Sequence, residues 1–240
     1  MADKKKNAAT TDTADVVERA KGFWTAYSKH IIIIGSVIIV ALGGYLGYKN
    51  FISIPNEKTA NDLIFPAEKL FGTMASNSSY NKDTVNMVLN GDKAKGITGL
   101  LKIAGSYGST QSGNRAEYMI AVCYLQLKQF DKAIKHLKDF DANGALQIQS
   151  KAYILLGHAY SEQKKIDDAL NYYKKAGSIS GLDDGMASEA LFIAGRYADA
   201  VGKSKEAIEI FKNLKDKYPA SQHVSTGDVD KYLAYLGITK

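Results

Sequence analysis

The segment KAYILLGHAYSEQKKIDDALNYYKKAG, residues 151–177, decides the fold of this chain. It contains two apolar stretches at helical spacing, joined by a short polar turn around Lys165. The apolar and small residues that share these two helix faces are Tyr153, Leu156, Gly157 and Tyr160, followed by Ala169, Tyr173 and Ala176. Because Gly157 and Ala169 are small, two antiparallel helices can approach closely there, with the tyrosines filling the space beside them. The segment therefore predicts a tightly packed helix pair.

The same pattern recurs on both sides of this segment. Tyr124 precedes Tyr160 by 36 residues, and Ala133, Ala169 and Ala207 follow one another at 36 and 38 residues. A single helix pair cannot bury its own apolar face, so neighbouring pairs must stack on one another. The period predicts a helical solenoid. Asp131 and Asp167, which occupy equivalent turns, are predicted to be the N-caps of the second helices.

The repeat pattern resembles that of tetratricopeptide repeat (TPR) proteins. The middle repeat matches in both helices, and the next one keeps Gly195, Ala207, Phe211 and Pro219. The fold class predicted is all-α: an N-terminal amphipathic and single transmembrane helix, then an α-solenoid of about three to four TPR-like helix pairs with a C-terminal capping helix. The predicted domains are a cytoplasmic tail with a juxtamembrane amphipathic helix (1–29), a transmembrane helix (30–50), a helical connector and divergent first repeat (51–112), three TPR-like repeats (113–226) and the capping helix (227–240).

An uncharged run from Ile31 to Tyr48 lies between Lys29 and Lys49. Eighteen residues at about 1.5 Å each make roughly 27 Å, enough to cross a hydrocarbon core. Ala41-Leu42-Gly43 resembles a signal-peptide cleavage site, but the apolar run continues past it, which favours an uncleaved anchor. The residues Ile54-Pro55-Asn56-Glu57 are predicted to end the spanning helix.

Basic residues are more frequent before the span than after it. Six of them precede Ile31, whereas the twenty residues after the span contain Lys49 and Lys58. The positive-inside rule then predicts a single-pass protein of the inner membrane, with a cytoplasmic N-terminus and a periplasmic TPR domain. The apolar face of residues 15–29 fits either a helix lying on the inner leaflet or a plain extension of the spanning helix. Gly43 and Gly47 form a GxxxG spacing that predicts contact with another transmembrane helix.

Composition and motifs argue against several function classes. The chain has 31 basic and 25 acidic residues, a net charge of +6, with both signs interspersed along the helices rather than clustered as in nucleic-acid binders. Cys123 is the single cysteine, and the four histidines show no ligand spacing. No nucleotide-binding loop, nucleophile elbow or zinc-protease motif is present. The sequence predicts no enzyme activity, no metal, no cofactor and no nucleic-acid partner.

The remaining function is protein binding. In TPR pairs the first helix lines the groove, and its fifth and ninth positions lie one turn apart and point inward. The residues at these positions, predicted to form a partner-binding groove, are Tyr118, Val122, Ile154, His158, Phe192 and Arg196. An alternative is that several of them are packed by a neighbouring helix. A groove of this composition favours an apolar helix or extended segment, with Arg196 able to meet a carboxylate.

A closer resemblance covers nearly the whole chain. The basic tail, the span ending Gly43-Gly44-Tyr45-x-Gly47-Tyr48-Lys49, the segment Leu89–Asp92 and the TPR units are similar to membrane-anchored TPR proteins of the Bacteroidota. That group resembles the YfgM family of ancillary Sec-translocon subunits. The resemblance implies a non-catalytic scaffold beside the secretion channel, with Sec subunits, a membrane-anchored PpiD-like periplasmic chaperone or nascent secreted chains as partners. The alternative is a TPR adaptor of another cell-envelope complex, in secretion or motility machinery.

Overall fold

The computed structural model describes residues 3–76 and 80–238, with side chains from Asp15 onward. Two compact units divide the chain, Met1–Pro55 and Asn56–Lys240. The first is helical and exposed, and the second is a stack of helices. The all-α solenoid predicted from the repeats is confirmed.

The first unit consists mainly of helix α1, Asp3–Tyr48, followed by a π-helical turn, Lys49–Ser53. Helix α1 runs without interruption through residues 29–31, as expected if the juxtamembrane residues extend the spanning helix. Within the described residues, a single helical stretch, near the N-terminus, is long and apolar enough to cross a membrane, and its apolar window is not buried. The helix end predicted at Ile54–Glu57 is wrong, because these residues open helix α2 and proline is tolerated in a first turn.

The second unit begins with helices that do not follow the repeat period. Helix α2 spans Ile54–Ser76, so that its first two residues belong to the first unit, α3 spans Lys82–Asn90 and α4 spans Leu100–Tyr107. Between α3 and α4, strands β1 (Gly91–Asp92) and β2 (Ile97–Thr98) form a short antiparallel hairpin, with Gly91 opposite Thr98. The segment Leu89–Asp92 thus contains the end of α3 and the first strand of this hairpin.

Three helix pairs and a C-terminal end piece follow. The pairs are α5 (Gln111–Gln126) with α6 (Phe130–Asp139), α7 (Leu146–Glu162) with α8 (Ile166–Gly177), and α9 (Asp184–Ala200) with α10 (Ser204–Lys217). The end piece is the one-turn helix α11, Gln222–Ser225, and helix α12, Asp228–Tyr235. Val229 and Leu233 of α12 are buried against the last pair, which is the arrangement expected of a capping helix.

Small residues permit the close helix packing that the sequence predicted. A Cβ atom at Gly157 would lie 2.5 Å from the ring of Tyr173, and one at Gly195 would lie 2.6 Å from the ring of Phe211. Both distances are shorter than van der Waals contact, so only glycine fits at these two positions. The aromatic ring of each second helix therefore packs directly on the backbone of its first helix.

The turns inside the three pairs also repeat. Lys128, Lys164 and Gly202 all have positive φ, at 57°, 58° and 79°, and occupy equivalent places just after the first helix. The next helix starts at Phe130 in one pair and at Ile166 in another, with no side-chain cap at the preceding residue. The predicted N-cap role of Asp131 and Asp167 is therefore wrong, because each is the second residue of its helix. There the carboxylates interact favourably with the helix dipole.

These two aspartates instead connect successive repeats. The Gln163 amide donates to Asp131 Oδ1 at 2.8 Å, and the Lys203 ammonium donates to Asp167 Oδ1 at 2.6 Å. Each bond joins the turn of one pair to the turn of the next. The stack is thus held by polar contacts at one edge in addition to its apolar core.

Candidate partner-binding cleft

A cleft in the second unit lies where α2, α5 and the loop between α6 and α7 meet. Its volume is about 670 Å³. The residues that line it are Glu68, Phe71 and Gly72 of α2, Gln111, Asn114, Arg115, Tyr118 and Met119 of α5, Phe140–Asn143 and Ala145 of the loop, and Ile148 of α7. Volumes of this size are typical of sites that hold a ligand or part of a partner chain.

Aromatic and aliphatic side chains dominate the lining. The rings of Tyr118 and Phe140 pack with their centroids 5.4 Å apart, and Phe71, Met119 and Ile148 complete the apolar surface. Burial raises the pKa of Tyr118, so its hydroxyl remains neutral at physiological pH and can act as a hydrogen-bond donor. The cleft therefore offers an apolar surface with a neutral polar group on it.

The wall contributed by α2 is attached to α5 by a carboxylate. Glu57 accepts hydrogen bonds from the backbone N–H groups of Gln111 (2.6 Å) and Ser112 (3.2 Å) and from the Ser112 hydroxyl (2.9 Å). The first N–H groups of a helix have no partner within that helix, and the helix dipole favours an anion there. Glu57 thus supplies, from more than fifty residues upstream, the acceptor that the start of α5 needs.

Arg115 bridges the same two helices nearer the cleft. Its guanidinium contacts Glu68 at 3.5 Å and the Asn61 side-chain oxygen at 3.1 Å, both on α2. The Arg115 and Glu68 side chains are both more than a third exposed, so this ion pair adds little to stability. The ion pair places polar groups at the rim of the cleft, where the Arg115 guanidinium already has partners on α2.

The loop that forms the opposite wall is held by Asn114. The Asn114 amide donates to the Asp141 carbonyl at 2.5 Å and its oxygen accepts from the Asp141 N–H at 2.8 Å. Asp141 in turn accepts from the backbone N–H of Asn143. A loop tied to the helix beside it presents Phe140 in a defined position, which reduces the conformational entropy lost on binding a partner.

The predicted groove residues on α5 and α7 have different surroundings. Tyr118 lines the cleft, whereas Val122 is half-buried and lies outside its lining. Ile154 is half-buried against the core of the repeats. His158 shares a hydrogen bond of 2.9 Å with the Tyr173 hydroxyl, and partial burial of its ring lowers its pKa, so it is neutral at physiological pH. The structure therefore brings one of these four residues into the cleft.

The two predicted groove residues on α9 lie beneath and beside the C-terminal end piece. Phe192 is only 7% exposed, because the ring of His223 stacks on it with a centroid distance of 3.8 Å. His223 Nε2 lies 2.6 Å from a carboxylate oxygen of Glu189. Phe192 therefore cannot contact a partner in this structure, and its prediction as an available groove residue is corrected. Arg196 is exposed, with its guanidinium 6.0 Å from the Phe192 ring.

Sequence reasoning missed most of the cleft. None of the lining residues other than Tyr118 occupies a groove position of the repeat. Phe71 lies on the divergent helix α2 and Asn114 near the start of α5, whereas Phe140 lies in the α6–α7 loop and Ile148 in the first turn of α7. One sequence feature could have indicated the cleft. The helix that contains Phe71 is too long for a plain connector and has an apolar side. In the first unit, a Cβ built at Gly43 or Gly47 of α1 would meet nothing within 4 Å among the described residues, apart from its chain neighbours and the nearby backbone of the same helix. Their contact with another helix stays a prediction.

Comparison with protein families gives a match over residues 21–222, to a family described as a tetratricopeptide repeat-like domain. The chain belongs to the tetratricopeptide repeat-like domain family. The match covers most of the chain and includes the three regular helix pairs, α2–α4 and part of α1. TPR-like repeats are scaffolds that bind other proteins, and the cleft lies on such a scaffold.

Solved structures with similar folds are also TPR-like. One contains the nearly identical TPR-like repeats of a Podosopora anserina protein described as a kinesin light chain, with a TM-score of 0.53 and 16% identity, covering 72% of this chain and 84% of that chain. A variant of the same protein is similar, with a TM-score of 0.52, 16% identity and the same coverage of both chains. At this identity the likeness concerns the fold alone. The search of curated proteins finds no match.

The described residues contain no group of three or more His, Cys, Asp or Glu side chains placed to hold a metal ion. Burial is the main cause of the large upward shifts in the pKa of Cys123 and of Tyr173, and both residues lie outside the cleft lining. The residues that line the cleft offer a partner both apolar contact and hydrogen bonds.

Proposed function

We propose that this TPR-like protein is a non-catalytic, membrane-anchored scaffold that acts as an ancillary subunit of the Sec translocon. The apolar part of α1 would cross the inner membrane once, with the N-terminus in the cytoplasm and the repeats in the periplasm. The repeats would recruit a membrane-anchored PpiD-like chaperone or nascent secreted chains. Family membership supports the scaffold role, and the resemblance of the sequence to the YfgM family motivates the translocon as its location.

The observation that carries the proposal is the cleft between α2, α5 and the α6–α7 loop. Its apolar surface of Phe71, Tyr118 and Phe140 is wide enough to accept one or two large side chains of a partner. Interfaces draw most of their affinity from a few aromatic or aliphatic anchors in such pockets, surrounded by a polar rim. A partner segment that presents an apolar anchor, as a helix or an extended strand, therefore fits this site.

The first experiment is purification of the full chain through a C-terminal tag in mild detergent, with mass spectrometry of the proteins that accompany it. Channel subunits together with a peptidyl-prolyl-isomerase-like chaperone are the expected result. Recovery of subunits from a different envelope machine would replace the translocon proposal with that of another adaptor. Recovery of the protein alone would contradict both.

A matched pair of variants tests whether the cleft binds the chaperone. Tyr118→Ala removes an anchor from the cleft, whereas Tyr235→Ala removes a tyrosine that is 80% exposed on α12. The chaperone signal should fall with Tyr118→Ala and persist with Tyr235→Ala. Equal recovery from both variants would locate the binding surface elsewhere.

A second pair tests whether the span contacts the channel. Gly43→Leu fills the face that the GxxxG spacing leaves open, and Ala41→Leu places the same side chain on the opposite side of α1. Channel subunits should be lost with Gly43→Leu alone, while the chaperone remains bound through the cleft. Unchanged recovery with both variants would contradict a helix contact at Gly43.

A further inference from the structure

Large apolar side chains continue beyond the predicted end of the span. In the π-helical turn Lys49–Ser53, no residue is buried, and Phe51 is 84% exposed. Ile52 and Ile54 are also exposed. Three large apolar side chains within four residues are unusual on a surface that faces water, so this turn requires an apolar environment.

The charge pattern indicates which environment that is. Between Lys29 and Glu57, Lys49 is the single residue with a formal charge. A lysine stem can pass along apolar surface while its ammonium reaches the headgroups, so Lys49 does not end the lipid-facing segment. The first acidic residue after the span, Glu57, comes only after Ile54.

The backbone of the turn also meets the demands of a membrane interface. The N–H of Ile54 donates to the carbonyl of Lys49, five residues earlier, as in a π-helix. Backbone groups near the hydrocarbon must find partners within their own segment. The wide π-helical turn satisfies this requirement and leaves Phe51 exposed.

Aromatic residues mark two levels along this unit. Phe23, Trp24 and Tyr27 lie before the apolar run, with the rings of Phe23 and Tyr27 4.9 Å apart. Tyr48 is the last residue of the run, and Phe51 follows three residues later. Tyr27 and Phe51 are separated by roughly 36 Å along the helix at about 1.5 Å per residue. The hydrocarbon core is about 30 Å thick, and aromatic belts occur at both of its interfaces.

From the continuous apolar surface, the single snorkelling lysine and the spacing of the aromatic residues, we propose that Phe51, Ile52 and Ile54 are embedded in the lipid interface. The lipid-facing segment then extends to Ile54, past the predicted boundary at residue 50. This inference rests on the proposed membrane location of α1, and it adds a second aromatic belt, formed by Tyr48 and Phe51, on the side of the repeats.

The test uses tryptophan fluorescence, because Trp24 is the only tryptophan in the chain. In a full-length Trp24→Phe background, Phe51→Trp places a reporter in the turn. The protein is reconstituted in phosphatidylcholine vesicles whose acyl chains carry bromine either near the headgroup or near the chain end. The expected result is blue-shifted emission that shallow bromine quenches more strongly than deep bromine.

Two further reporters in the same background make the outcome decisive. Ile39→Trp, in the middle of the apolar run, should be quenched most by deep bromine, and Tyr235→Trp on α12 should be unquenched with water-like emission. Unquenched Phe51→Trp beside quenched Ile39→Trp would overturn the inference while leaving the membrane anchor intact. If the emission of the unquenched Phe51→Trp reporter were also blue-shifted, protein rather than lipid would cover the turn. Loss of quenching at Ile39→Trp would overturn the anchor itself.

Discussion

The same repeat position has opposite surroundings at the two ends of the repeat stack. Tyr118 on α5 and Phe192 on α9 occupy equivalent positions of their pairs, yet Tyr118 faces an open cleft and Phe192 lies under the ring of His223. The difference arises from the helices that flank the repeats. Helices α11 and α12 close over α9 at one end, whereas an open cleft separates α2 from the α6–α7 loop at the other. Repeat register alone therefore does not determine which groove residues are available.

The largest expected effect concerns Cys123, which lies in the core behind the open end. Burial raises the pKa of its thiol to about 12, so at pH 8 its thiolate fraction should be about a thousandth of that of an unfolded cysteine. Alkylation of the native protein should be slower by a similar factor, and urea should restore a normal rate. The native thiol holds its proton more tightly than the unfolded one, so stability should fall as pH rises above the unfolded pKa.

Rapid alkylation of Cys123 in the native protein would show that the two ends of the repeat stack differ in their cores as well as at their surfaces. It would mean that the open cleft extends into the core formed by α2–α5. Slow alkylation would show that the cleft is open only at the surface and that the core behind it, which contains Cys123, excludes the reagent.

The next effect compares the two equivalent aromatic residues directly. Phe192→Ala should lower the free energy of unfolding by about 3–5 kcal/mol, because it leaves a cavity beneath His223 and beside Phe211 and Tyr232. Tyr118→Ala should cost about 1 kcal/mol, since its ring already borders open space. Urea unfolding of the full chain in detergent, followed by circular dichroism, measures both. Equal losses would mean that the two ends are packed alike.

A glycine at the open end gives a smaller effect with a clear control. A Cβ at Gly113 would lie 2.0 Å from the Tyr107 carbonyl oxygen, so Gly113→Ala should destabilise the α4–α5 junction by about 1–3 kcal/mol. Gly105→Ala, in α4 with nothing within 4 Å, should instead stabilise by about 0.5–1 kcal/mol. The same unfolding measurement applies. If both variants behaved alike, the close approach of α5 to the end of α4 would not be a constraint.

The smallest expected effect concerns the attachment of α2. Glu57→Gln keeps the shape of the side chain but removes the negative charge at the start of α5, and should cost about 1 kcal/mol. Glu209→Gln, on the exposed face of α10, should change stability much less. Hydrogen exchange at the first turn of α5 would show the loss locally. Protection that is unchanged by Glu57→Gln would mean that α2 is held by its apolar face alone.

The sequence predicted the structure well wherever the repeat motif was intact. Gly157, Ala169 and Tyr173 predicted the central pair, and the structure confirms their packing. The prediction failed at Asp131 and Asp167, because the helices begin two residues earlier than a capping aspartate would require. At Phe192 the alternative holds that a neighbouring helix packs on the predicted groove residue, because His223 of α11 stacks on its ring. The segment that contains His223 has no repeat signature, so no local signal in the sequence indicated this contact.

The cleft was predicted only through Tyr118. Its other walls depend on contacts between residues far apart in the chain, such as Glu57 with Gln111 and Asn114 with Asp141. Such contacts leave no periodic pattern in a single sequence.

The sequence by itself determined that this chain is a stack of helix pairs with an apolar helix near its N-terminus. The reason is that helix period, small residues at close crossings and a long uncharged run are local properties of the chain. Only the tertiary structure decided that α2 forms a wall of the cleft and that α11 covers Phe192. Those outcomes depend on which surfaces meet after folding, and Glu57 and His223 acquire their roles from neighbours that the linear sequence does not place beside them.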